Sequence, residues 1–455
     1  MKVIALIDGE HHPAVCRDAL ARLGDEHEVC GVMFVGGEEK VAAGVFDDPR
    51  SHYGTDVVRA GTDRAGALRS LADACGAEAV VDLSGDPVLD PEARAELAAT
   101  ALDCGLEYRA PGLRLRPPAL ERLGSDVPVV SVIGTGKRCG KTAVAGHLAR
   151  RLSETGVEPV LVAMGRGGPA EPTLVRAEER PDRERLLEIA RAGGHAASDY
   201  LEGAVLAGVT TVGCRRCADG PAGEVFDSNV IEGARLANSL GLDAILLEGS
   251  GAAFPPVESD RSVCVVGART ARVNALSHLG PFRLLRSHLI LLMGADQLGA
   301  GELEGLRLAL SRWCGDFPVI GCALEPEPAG ELPHGARVAL FTTAPGSAEA
   351  PIRARLAERG VEVEFFSSNL SNRGALQRDT ELAARKGCDL FLTELKAAAV
   401  DTVAEQAERH GAQLFFLRNR PVSLEGEPEL DGELLGLFEQ ARAETQGRRA
   451  TTSAS

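Results

Sequence analysis

Aromatic side chains are scarce, with one Trp and three Tyr in the chain and 4% aromatic residues in all. The interior must therefore be aliphatic, which suits parallel sheets covered by helices. Long apolar runs are also missing, so no segment is expected to span a bilayer. The opening Lys2-Val3-Ile4-Ala5-Leu6-Ile7 runs straight into Asp8 and Glu10, and reads as a first strand rather than a targeting segment. Basic residues are the minority, 49 Lys and Arg against 66 Asp and Glu, for a net charge of −17. Such a surface repels nucleic acid and anionic membranes, and neither is expected as a partner. It repels phosphorylated small molecules too, so any phosphate site must be a local basic pocket. A disulfide framework is absent as well. Eleven Cys, an odd number at irregular spacing, imply reduced thiols and a cytoplasmic location.

What is present is a long alternation of strand and helix patterns across 455 residues. Strands are expected at Val3–Ile7, Val29–Val35 and Ala79–Leu83, with helices at Pro13–Leu23, Arg64–Cys75 and Pro91–Cys104. Pro117-Pro118 and Gly124-Ser125 mark a junction. A second unit opens with a β-branched strand over Pro128–Ile133, followed by a helix over Thr142–Leu152. Further strands are expected near 160–163, 242–247, 289–292, 318–322, 338–341, 361–366, 390–392 and 413–417. The fold class is α/β throughout. An N-terminal Rossmann-like parallel-sheet domain (1–124) precedes a P-loop NTPase domain (125–300), a C-terminal α/β extension (301–440) and a disordered tail (441–455).

Between the second unit's first strand and helix lies Gly134-Thr135-Gly136-Lys137-Arg138-Cys139-Gly140-Lys141-Thr142. A buried strand, a glycine-rich bend and a helix make a phosphate loop. Backbone N–H groups of Gly134, Thr135, Gly136 and Gly140 curl around phosphate oxygens at the helix N-terminus. Lys141 reaches the β- and γ-phosphates, and the Thr142 hydroxyl ligates Mg²⁺. The loop is a variant, because Thr135 stands where the usual pattern has its first glycine. Lys137 and Arg138 lie within the loop and are expected to neutralise the transferred phosphate.

Asp243 to Gly251 reads as a buried strand ending in Glu248 and a Gly-Ser-Gly turn. Open α/β sheets bind ligands at the carboxyl ends of strands, which places Glu248 to hold Mg²⁺. Asp243, at the other end, is read as structural. Arg166, in the glycine-rich loop Met164–Pro169, could clamp an anion or simply ride on a mobile linker. Cys214 and Cys217 have ligand spacing but no second pair, and are read as two unlinked thiols. Arg215 and Arg216 between them are placed in a turn before Asp219-Gly220-Pro221.

The order Gly-Thr, four residues, Gly-Lys-Thr, then a strand ending Glu-Gly-Ser-Gly, resembles the dethiobiotin synthetase group of P-loop enzymes over roughly residues 127–265. Together with the start Leu6-Ile7-Asp8-Gly9-Glu10-His11, it resembles the cyclic 2,3-diphosphoglycerate synthetase family over nearly the whole chain. The resemblance implies ATP and Mg²⁺ as cofactors and 2,3-diphosphoglycerate as substrate. The implied reaction is ATP-dependent closure of an intramolecular phosphoanhydride by a ligase that is a homodimer. It points to Lys137, Arg138 and Lys141 as catalytic cations. Arg166, Arg215, Arg216, Arg373 and Lys396 become candidates to hold the substrate's anionic groups, and Glu10 and His11 a possible substrate contact. Two other readings compete: a different dethiobiotin synthetase-like ligase acting on a carboxylate, and a P-loop switch or metallochaperone NTPase.

Overall fold

The structure, a computed structural model, describes residues 1–124, 126–396 and 399–453. Aliphatic runs build two sheets. In the first, Lys2–Ile7 lies between Glu28–Phe34 and Ala79–Asp82, all parallel, with Glu107–Ala110 beyond and an antiparallel Leu113–Leu115 closing the edge. Helices Pro13–Glu26, Arg64–Cys75 and Pro91–Asp103 connect these strands. Buried Leu97 and Leu102 share a hydrophobic core with Phe282 and Leu284 of the second unit, so the two units pack through side chains.

The second sheet has 13 strands. Its centre is Val129–Gly134, parallel to Ala244–Glu248 on one side and Arg261–Gly267 on the other. All six residues of Val129–Gly134 are buried, as expected of a strand covered on both faces. Pro159–Gly165 and Thr210–Asp219 extend the sheet one way, and Leu289–Met293 and Val319–Pro328 the other. The C-terminal extension belongs to this same sheet. Val319–Pro328 pairs antiparallel with Gln413–Ser423, which pairs parallel with Leu390–Glu394. Val338–Phe341 and Val363–Ser367 follow. The antiparallel step reverses direction, so these strands point their carboxyl ends back toward the phosphate-loop edge.

Two expectations are corrected. Residues from 441 onward were read as a disordered tail, but Leu430–Ser453 is one helix. Leu430, Leu434, Leu437, Phe438 and Ala441 are buried in the core that holds Leu148 and Leu152 of the phosphate-loop helix. Buried Thr445 continues that face, donating to Ala441 O and Asp260 Oδ2, both at 3.1 Å. Ala and Thr carry the stripe past Phe438, and small side chains register weakly in an apolar pattern. The last two residues, like Ser125 at the junction, lie outside the described ones. The second correction concerns Arg215 and Arg216. They lie on the strand Thr210–Asp219, not in a turn, because Val225–Ser228 pairs back on its far end as a hairpin. Among the described residues no helix is long and apolar enough to cross a membrane.

Candidate active site

The phosphate loop leaves the central strand at Gly134 and enters the helix Lys141–Glu154 through Gly140. Gly140 has φ 102°, a conformation that favours glycine, and a Cβ there would stand 3.1 Å from Met293 Cγ. It caps the helix with no side-chain hydrogen bond, so the first-turn N–H groups face the loop. Arg138 is left-handed at φ 58°, an uncommon state for a side-chain-bearing residue that recurs at functional loops. Lys141 is buried, and its Nζ donates to Gly136 O at 2.7 Å and Gly251 O at 2.9 Å.

Glu248 closes the neighbouring strand. Its Oε1 accepts from Thr142 Oγ1 at 2.5 Å. Its Oε2 is buried and has no hydrogen-bond partner among the described residues. Burial, then the charge of Asp199, push its pKa up to about 8. A buried carboxylate with one free oxygen beside a threonine hydroxyl is the donor set Mg²⁺ takes when phosphates complete its shell. The residues fit that ion. Asp243, at the strand's start, accepts from Glu158 N–H at 2.9 Å and joins two strand ends.

A cleft of about 990 Å³ opens over the loop, at the upper end of small-molecule sites. One wall carries Lys137, Arg138, Lys141, Thr142, Arg166 and Glu248. The opposite wall comes from the C-terminal strands and carries Thr343, Ser371, Arg373, Glu394, Lys396 and Asn419. The two sets of strand ends thus meet across it. Arg373 pairs with Asp401 at 2.5 Å, and Lys396 with Glu202 at 3.4 Å. Burial alone would lower the Lys396 pKa, but Glu202 and Glu394 outweigh it and hold the amine above its ordinary value. Burial raises Asp199 and Glu202 above the usual carboxylate range.

Nine of the expected residues meet in this cleft: Lys137, Arg138, Gly140, Lys141, Thr142, Glu248, Arg166, Arg373 and Lys396. Arg216 stands behind its wall, buried, with Nη1 on Asp219 at 2.7 Å and Nη2 on Ser250 O at 2.9 Å. Gly134, Thr135 and Gly136, the start of the loop, do not line it, and Gly136 O accepts from Lys141 Nζ. Three more, Arg215, Glu10 and His11, are not brought to it. Arg215 alternates to the other face of its strand and is exposed. Glu10 pairs with Lys40, and His11 Nδ1 bonds Asp8 Oδ1 at 2.8 Å. Buried Asp8 also accepts from the N–H groups of Glu10, His11 and Gly85, so the Asp8–His11 start is a loop lock of the first sheet. Cys214 is buried and Cys217 exposed, both free thiols on opposite faces of one strand. Sequence reasoning missed His195, Ser198, Asp199 and Glu202, which line the cleft beside the helix Asp199–Ala207. Their only signal was Asp and Glu three apart after Ser198, which reads equally as a helix start.

Comparison with known proteins agrees along the chain. Residues 2–116, 129–304 and 329–420 match family models described as the N-terminal, P-loop and C-terminal domains of cyclic 2,3-diphosphoglycerate synthetase. A protein of that name from Rubrobacter xylanophilus is 44% identical, covering 98% of this chain and 99% of its own. Those of Thermococcus gammatolerans and Methanothermobacter thermautotrophicus are 41% and 37% identical, covering 93% and 98% of this chain and 94% and 98% of theirs. Among solved structures, LpxK from Aquifex aeolicus in complex with ATP is 14% identical with a TM-score of 0.38, over 71% of this chain and 91% of its own, too slight a likeness to argue from. With its phosphate loop intact and relatives matching it end to end, the chain belongs to the cyclic 2,3-diphosphoglycerate synthetase family of P-loop ligases.

Proposed function

We propose that the chain uses ATP and Mg²⁺ to cyclise 2,3-diphosphoglycerate to cyclic 2,3-diphosphoglycerate, releasing ADP and inorganic phosphate. One substrate phosphate oxygen attacks the γ-phosphorus of ATP, and the bond to ADP breaks. The substrate's other phosphate then attacks the inner phosphorus of the new diphosphate, and inorganic phosphate leaves as the ring closes. Both steps press anionic oxygens together, so cationic screening and in-line placement matter more than a strong base.

Lys141 and the loop N–H groups would hold the β- and γ-phosphates, and Lys137 and Arg138 would screen the transferred group. Thr142 and Glu248 would hold Mg²⁺, which supplies charge neutralisation between the phosphates when bound. Arg166, Arg373 and Lys396 would hold the substrate's anionic groups. We place the domain limits at 1–124, 125–300 and 301–440, and propose a cytoplasmic homodimer.

The observation that carries this reading is the cleft itself. In a chain of net charge −17, cations from the phosphate loop face cations from the C-terminal strands. A nucleotide switch acting on a protein partner has no need of that second wall. Phosphorus NMR of the purified protein with ATP, Mg²⁺ and 2,3-diphosphoglycerate tests it. A cyclic pyrophosphate signal growing with ADP is expected; ATP hydrolysis indifferent to diphosphoglycerate would refute it.

A further inference from the structure

We infer that Arg166 and Arg216 form one anion subsite over Gly251, with Arg166 as the direct ligand and Arg216 as its positioning residue. The assignment of that anion to the acceptor phosphate of 2,3-diphosphoglycerate rests on the reading above. Arg166 follows the strand Pro159–Gly165, and Arg216 sits on the neighbouring strand, where Gly165 pairs with Arg215. Gly251 belongs to the turn after Glu248 and has φ +64°. A Cβ on Gly251 would lie 2.6 Å from Arg166 Nη2, 2.9 Å from Arg216 Nη2 and 3.6 Å from Asp219 Oδ2. Two guanidinium groups therefore converge on a notch that exists because this residue has no side chain.

The two arginines differ in what holds them. Asp219 is bound to Arg216, at 2.7 Å, whereas Arg166 has no hydrogen bond or ion pair among the described residues. Asp199, in the same cleft, acts on Arg166 by charge but makes no hydrogen bond to it, and a phosphate oxygen pair offers the planar fork of Arg166 its natural partner. Arg216 is too enclosed to meet a ligand itself, with 2% of its side chain exposed. Its bond to Ser250 O fixes the turn against which Arg166 leans. On the other side of that turn, Gly251 O accepts from Lys141 Nζ. Gly251 thus joins the lysine of the phosphate loop to the arginine pair. An anion held by Arg166 lies next to the group that Lys141 holds, which is the juxtaposition phosphoryl transfer requires.

The test uses the full chain saturated with Mg²⁺ and a non-hydrolysable ATP analogue. Inorganic pyrophosphate is the calorimetric probe, and turnover with 2,3-diphosphoglycerate is followed in parallel. Arg166→Met should weaken pyrophosphate binding and raise the KM for diphosphoglycerate by about tenfold or more, with nucleotide affinity within about twofold. Arg216→Met should raise the same KM while leaving the KM for ATP, and Arg216→Lys should restore part of the loss. Gly251→Ala should fill the notch and weaken pyrophosphate binding as well, together with nucleotide affinity, because Gly251 O holds Lys141. Pyrophosphate binding and diphosphoglycerate KM that survive Arg166→Met, or a loss confined to the nucleotide, would overturn the subsite. Arg166-dependent pyrophosphate binding without any cyclic product would keep the subsite and refute the reaction.

Discussion

Lys141 Nζ lies 2.9 Å from the carbonyl oxygen of Gly251, which ties the phosphate loop to the turn beyond Glu248. A single amine thereby bridges two strand ends, and removing it should cost both phosphate charge screening and the register of that turn. Lys141→Ala is expected to lower kcat by about 10²–10³-fold, the scale of losing one preorganised donor to a transition-state oxyanion. Steady-state ADP release measures this. Intact turnover would remove the phosphate loop from the chemistry.

Glu248→Gln keeps an acceptor for Thr142 but removes the charge that would hold a divalent cation. The Mg²⁺ concentration giving half-maximal rate should rise about tenfold or more. A Mg²⁺ titration of ATP turnover reads this directly, and an unchanged midpoint would mean that Glu248 only caps the turn.

His288 sets a dependence of stability on pH. Burial, then the charge of Arg261, lower its pKa to about 4 from an ordinary 6.5. Its Nδ1 accepts from Ser262 N–H at 3.2 Å, which needs the neutral ring. Between those two values the unfolded chain binds the proton more readily than the folded one. The stability is thus complete above pH 6.5 and is lost as pH falls toward 4. Urea midpoints taken at pH 7.5 and 5.0 should fall in the wild type and fall less in His288→Asn. Parallel curves for the two proteins would dismiss this histidine.

Deleting residues 441–455 should not be silent. It removes buried Ala441 and Thr445, and with them the bond to Asp260. A loss of about 2 kcal/mol or more is expected, on the scale of truncating core side chains. Thermal melts of the shortened chain would show it, and an unchanged Tm would return this segment to the status of a tail.

The fold was legible where aliphatic runs are dense. Val129–Gly134 and Lys141–Glu154 fall within a residue or two of their expected limits, since a fully buried strand and a glycine-rich bend leave few alternatives. The carboxylate at Glu248 was legible for the same reason. Lys396 and Arg373 were named as candidates, but nothing local could say that their strands run back toward the loop. That follows from one antiparallel pairing between segments about a hundred residues apart. Arg215 and Arg216 are adjacent in sequence and opposite in space, a distinction that a turn erases and a strand enforces. His195 lies between the helices Arg183–Arg191 and Asp199–Ala207, and Asp199 opens the second, where polar residues carry no periodic mark.

The ladder joining Val319–Pro328 to Gln413–Ser423 has a mechanical meaning. Swinging the far wall away from the loop as a rigid body would strain a run of main-chain bonds from Cys322–Ser423 to Pro328–Leu417. The span between the two walls is therefore set by main-chain hydrogen bonds rather than by side-chain contacts.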